Sequence, residues 1–173
     1  MPPPISVPGL IAKLNEERAK LLATVAGLSE TEVTRPLPTS EGGWSVKDIL
    51  AHVAISEAAN LAFAKRLVAE DNPVQIPPDK GPFDLDRWNN SQVRRRQQLT
   101  WAQVQADLAA AHQETLAFVA GLEEAQFDRR GVQAVFGEMT LGQLLKILYR
   151  HDRMHREEIE QGLAAARAGA GAG

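Results

Sequence analysis

The chain contains no cysteine among its 173 residues. A disulfide scaffold, a thiolate zinc site and a cysteine nucleophile are therefore all excluded. A strong excess of either charge is also missing. The balance of 19 Lys+Arg against 22 Asp+Glu gives a net charge of −3, which argues against a broad nucleic-acid-binding surface. No run of about 18 apolar residues suggests a membrane span. The opening Met1-Pro2-Pro3-Pro4 has neither the basic region nor the apolar run of a signal peptide, so a cytoplasmic location is expected. Aromatic residues make up only 5 % of the chain, and alternating strand patterns are weak throughout. What remains as a source of chemistry is the set of four histidines.

Four long helices are expected. The first runs from about Pro8 to Ala26, with Leu10, Ile11, Leu14, Leu21, Leu22 and Val25 at helical spacing and Gly27 as its stop. The second runs from Ser45 to Ala69. Ser45 and Asp48 form a capping box, and Trp44 and Ile49 sit where a hydrophobic staple would. Asn72–Phe83 carries four prolines and reads as a long crossover loop, followed by a short polar helix within Asp84–Leu99. The third long helix runs from Thr100, boxed with Gln103, to about Ala120. The fourth starts at Thr140, boxed with Gln143, and continues to at least Leu163. Gly131–Glu138 is the one candidate for a short extended piece. Val25-Ala26-Gly27-Leu28 recurs as Val119-Ala120-Gly121-Leu122, each time before an acidic turn, a loop and a capped helix. The expected architecture is all-α: one four-helix-bundle domain over residues 1–163, with a flexible Ala/Gly-rich tail at 164–173.

Three of the histidines fall into one pattern. His151 and His155 continue the apolar line Leu141, Leu144, Leu148 toward Ile159, one turn apart on one helix face. His52 lies toward one edge of the apolar arc of the second helix. It is about 11 Å down its helix axis, while His155 and His151 lie about 12 and 18 Å from the end of theirs. Antiparallel packing of these helices brings all three to one level. Three unpartnered buried imidazoles would be costly, and a divalent cation would satisfy them together while leaving open positions. Imidazole suits several metals, among them Zn, Ni and Fe. His112 lies at the margin of its helix's apolar stripe and reads as a bystander. The Asp of His151-Asp152-Arg153-Met154-His155 departs from the His-Glu-x-x-His of zinc proteases, and little sequence is left for the sheet those enzymes need.

Gly43-Trp44-Ser45-Val46-Lys47-Asp48-Ile49-Leu50-Ala51-His52, Glu57 and the His151-x-x-x-His155 pair together resemble the DinB-like (DinB/YfiT) superfamily, with Val53 where the family usually has Leu. The likeness covers about Leu10 to Leu163. It implies an up-down-down-up four-helix bundle with a long crossover between the second and third long helices. It also implies a metal on His52, His151 and His155, and often a homodimer. Characterised relatives include thiol S-transferases and isomerases that use bacillithiol, mycothiol or glutathione.

The functional expectation is therefore a metal-dependent transferase that joins a low-molecular-weight thiol to a small electrophile. Glu57 is the candidate base or orienting residue, and Trp44 and Ser56 are the candidate pocket residues. A metal-dependent hydrolase and a non-catalytic binder of metal or small molecules stand as alternatives. Arg94-Arg96, flanked by glutamines and near Trp88 and Trp101, is the one feature that suggests nucleic acid, and it reads as a solvated helix face.

Overall fold

The structure, a computed structural model, describes residues 6–40, 42–76 and 81–170. Parts of the N-terminus, the Pro-rich crossover and the last three residues of the tail therefore lie outside the described residues. Each long helix begins where a side chain can satisfy its free N–H groups. Ser6 caps α1 (Val7–Val25), and Ser45 with Asp48 forms the capping box of α3 (Val46–Ala69). Asp84 caps α4 (Leu85–Arg96), and Thr100 with Gln103 boxes α5 (Trp101–Ala120). Thr140 and Gln143 make the same reciprocal bonds at the start of α6 (Leu141–Ala170). The helix α6 thus extends into the stretch expected to be tail.

Two local features add to the expected plan. A short helix, α2 (Glu30–Thr34), follows the turn at Gly27 and is boxed by Ser29 and Glu32. The segment before α6 is a hairpin of β1 (Arg130–Gln133) and β2 (Gly137–Thr140), longer than the single extended piece expected. Gly137 adopts φ +72, a conformation that glycine enters without strain. Gly131 is needed for a different reason. A Cβ there would stand 2.6 Å from both Leu67 and the Pro73 carbonyl, so only glycine lets the hairpin lie this close to α3. The sequence repeat has a structural counterpart. After α1 come α2 and a Pro36–Ser45 bridge; after α5 come a 3₁₀ turn (Glu124–Asp128) and the hairpin, each leading into a capped helix.

Cross-helix pairs fix the topology. Glu17 meets Arg153 and Thr24 meets Glu160, so α1 and α6 run parallel. Arg18 reaches Leu108 while Asn15 reaches His112, so α1 and α5 run antiparallel. Lys47 bonds the Leu99 carbonyl and Lys65 pairs with Glu114, so α3 and α5 run parallel. The bundle is up-down-down-up, and the crossover carries α4 along α3.

The core has two apolar halves. One gathers Ile49, Leu50, Val53 and Leu108 with Ile159. The other gathers Phe63, Leu67, Leu10 and Leu14 with Leu144 and Leu148. Each fully buried Leu, Ile or Phe contributes about 1.5–3 kcal/mol. Between the halves lies a polar layer: Glu57, His112, Asp152, Arg18 and the three other histidines. Buried polar groups are costly unless they are partnered, so this layer needs an account residue by residue.

Candidate metal centre

His52 on α3 and His151 and His155 on α6 converge at one point. The Nε2 atoms of His52 and His151 are 3.1 Å apart, and those of His151 and His155 are 3.0 Å apart. One nitrogen from each of the three lies within 4.8 Å of the others. His52 and His155 are buried, and His151 is half-buried. The i,i+4 spacing stacks the two α6 rings edge-to-face, with centroids 4.4 Å apart.

The donor set fits a divalent cation. Two imidazole nitrogens bound tetrahedrally at about 2.0–2.1 Å stand about 3.3 Å apart, close to the observed separations. The Nδ1 of His155 lies 2.7 Å from the Glu158 carboxylate. A carboxylate accepts only, so Nδ1 carries the proton and Nε2 presents a lone pair to the centre. Sequence reasoning passed over Glu158. Its i,i+3 position after His155 was the available signal.

Burial disfavours the charged form of two of the three imidazoles. Burial, reinforced by His155, pushes His52 down to about 3. His151 is held well below the usual histidine range by burial first, then by His155, His52 and Arg18. In the unfolded chain both titrate near 6.5. Below that pH the unfolded state takes up protons that the native site refuses, so stability falls as pH falls. Metal-free protein should lose roughly 1 kcal/mol per pH unit for each such histidine on acidification below about 6.5. Urea unfolding at pH 7, 6 and 5 measures this. His52→Ala should flatten the slope, and an unaltered slope would refute the assignment.

The three nitrogens form the floor of a cavity of about 1060 Å³. Trp44 and Ser56, both expected pocket residues, line it. The Trp44 ring packs 5.1 Å from that of His52, and its Nε1 donates to Asn90 at 3.2 Å. The opposite wall comes from elements to which the sequence reading gave no pocket role: α4 supplies Trp88 and Asn89, and the hairpin supplies Gln133 and Phe136. Gln133 accepts from the Val135 and Phe136 N–H groups at 2.6 and 2.8 Å, so it shapes the tip that presents Phe136.

Glu57 does not join this site. Five residues after His52 is about 140° round the helix, so the carboxylate points into the bundle instead of the cavity. There it meets the Arg18 guanidinium at 2.6 Å. Arg18 also donates to both Asp152 oxygens, at 2.8 and 3.1 Å, and to the Leu108 carbonyl at 3.1 Å. Arg18, Glu57 and Asp152 are each at most 5 % exposed, so the network joins all four bundle helices without reaching water. Burial opposes the charge on Glu57, but His112, Arg18 and Thr115 hold its carboxyl below the usual range. Burial raises Asp152 despite Arg18. His112 belongs to this layer, with Nδ1 3.7 Å from Glu57 and Nε2 3.2 Å from Asn15, and does not reach the three-histidine centre. The base or orienting role expected for Glu57 therefore has no support in its placement.

Residues 13–159 match the family model described as the DinB superfamily. The uncharacterized protein YuaE of Bacillus subtilis (strain 168) is 23% identical over 154 residues, covering 85% of this chain and 93% of YuaE. Among solved structures, YfiT from Bacillus subtilis superposes with a TM-score of 0.75 at 24% identity, over 95% of this chain and 90% of that one. It is described as a probable metal-dependent hydrolase with an unusual four-helix bundle topology. A mycothiol-dependent maleylpyruvate isomerase gives a TM-score of 0.73 at 10% identity, over 90% of this chain but 61% of that one. The colibactin self-resistance protein ClbS, solved with a dsDNA, gives 0.73 at 14% identity, over 91% and 95%. At these identities the structural likenesses establish the fold alone.

Proposed function

The chain belongs to the DinB superfamily, and from that premise we propose that it is a metal-dependent enzyme that transfers an external low-molecular-weight thiol to a small electrophile. One observation carries the reading. Three imidazole nitrogens face one point at the floor of a large cavity, in a chain that has no cysteine of its own. When bound there, a divalent metal (Zn, Ni or Fe) supplies Lewis acidity that favours the thiolate form of a thiol. His52, His151 and His155 would hold it through Nε2, and Glu158 would keep His155 in the required tautomer. Trp44 packs against the His52 ring. Glu57 and Asp152 are occupied by Arg18, so neither is free to take a proton in the cavity. With no cysteine in the chain, the transferred sulfur must arrive on a separate molecule. The likeness to a mycothiol-dependent isomerase supports this reading.

A hydrolase is the second reading, favoured by the description of YfiT. Purified chain loaded in turn with Zn, Ni or Fe(II) should be supplied with several thiols and electrophiles, and products weighed by mass spectrometry. The expected result is thiol–electrophile adduct whose formation rate rises with thiol concentration. Turnover that ignores the thiol would replace the transferase with the hydrolase. Stoichiometric metal with no turnover at all would leave a non-catalytic binder.

The homodimer and the cytoplasmic location expected from the sequence belong to the same proposal. Among the described residues no helix is long and apolar enough to cross a membrane. Nucleic acid stays outside the reading despite the ClbS likeness. In support, the net charge is −3, and the Arg94–Arg96 run lies in the last turn of α4, where cations favourably face the helix dipole.

A further inference from the structure

The mouth of the cavity is apolar to an unusual degree. Leu22, Leu85, Val135, Phe136 and Met154 are the large apolar side chains that stand most exposed among the described residues. All but Leu22 line this one opening. Phe136 is 59% exposed and Met154 53%, although neither is needed by the core. Single exposed apolar residues need no explanation, but a cluster around one opening marks a binding surface.

The polar lining includes five carboxamides: Asn60, Gln75, Asn89, Asn90 and Gln133. Gln133 and Asn60 are engaged with each other and with the backbone, and the oxygens of Asn90 and Gln75 already accept from Trp44 and Ala134. The buried Asn89 Oδ1 has no partner, so the wall offers a neutral acceptor to a hydroxyl or amide hydrogen. The charged residues among the described lining are Asp86 and Glu158, and no Lys or Arg is among them. Glu158 is occupied by His155. Away from the metal-binding floor, an anion would find repulsion from Asp86 and, among the described residues, no cationic partner.

We propose that the cavity selects a small molecule with an uncharged amphiphilic body, in which a ring-sized apolar group sits at the Phe136–Met154 mouth and a hydroxyl or amide group donates to Asn89. This rests on the reading that the cavity is the substrate site, and it names the substrate class. Only the group delivered to the three histidines needs to be ionisable. Trp88 supplies a flat surface on α4 against which a ring or a sugar face can pack.

The test uses two probes with one skeleton: phenyl glucoside, which is neutral, and phenyl glucuronide, which adds a carboxylate. The full chain is titrated with each, metal-free and zinc-loaded, and tryptophan fluorescence is followed, since Trp44 and Trp88 line the cavity. In the metal-free protein the glucoside should bind at least about fivefold more tightly, the size of one screened like-charge contact. Phe136→Ala should weaken it about tenfold by removing one apolar contact, and Asp86→Asn should narrow the gap between the probes. Equal or tighter glucuronide binding overturns the proposal, as does the lack of any saturable change with the glucoside. A chain that binds no zinc yet prefers the glucoside would end the metal-enzyme reading and leave this one standing. A chain that binds zinc but prefers the glucuronide would do the reverse.

Discussion

His155→Ala should strip the bound metal. The native chain is expected to hold one divalent ion after loading and desalting, and the variant well under a tenth of that by elemental analysis. The reason is geometric. His151 stands 3.1 and 3.0 Å from its two histidine neighbours, so deleting His155 removes one of three converging donors and its support from Glu158. Glu158→Gln makes the graded comparison. It leaves all three imidazoles in place and removes only the carboxylate on Nδ1, so affinity should fall about 10- to 100-fold. His112→Ala should leave the stoichiometry unchanged, because that ring lies in the Arg18 layer. Full occupancy in His155→Ala, or loss of metal in His112→Ala, would require a different ligand set.

Arg18→Met should cost about 3–5 kcal/mol of stability, the penalty for leaving buried carboxylates without their cation. For a domain of this size that is a fall of about 6–20 °C in Tm. The ring of contacts explains the size. One guanidinium serves Glu57, Asp152 and the Leu108 carbonyl, with both carboxylates almost wholly shielded from water. Replacing all three charges together, as Arg18→Met with Glu57→Gln and Asp152→Asn, should recover a large part of the loss, because no lone buried charge is then left. Chemical denaturation of the single and triple variants measures this. A triple variant no better than Arg18→Met would mean that the network's worth lies in its hydrogen bonds and not in its charge balance. The single Glu57→Gln variant separates structure from chemistry: it should lower Tm while metal content and turnover stay near native. Unchanged Tm with lost turnover would return Glu57 to the chemistry.

The long helices were legible because their signals are local. Ser45 with Asp48, Thr100 with Gln103 and Thr140 with Gln143 each satisfy helix-start donors from within four residues, and all three boxes form. The pairing of His52 with His151 and His155 was also within reach, since helical rise and face placed them at one level. The hairpin was only half visible. Its strands are four residues each, and its close packing depends on Gly131 meeting Leu67 and Pro73. Nothing near Gly131 in the chain announces that contact.

Glu57 shows where local reasoning ended. Its spacing from His52 was readable, but its partner Arg18 lies 39 residues away, and Arg18's other partner Asp152 lies 134 residues away. The sequence by itself determined four long helices, three of them with capping boxes, a chain without sulfur nucleophiles and three histidines able to share one ion. Only the tertiary structure decided which carboxylate serves that site: Glu158 orients His155, while Glu57 and Asp152 are turned inward and share Arg18. It also decided the walls of the cavity, which come from α4 and the hairpin. Helix periodicity is written in neighbouring residues, whereas burial, charge pairing and cavity lining are set by residues that meet only once the chain has closed on itself.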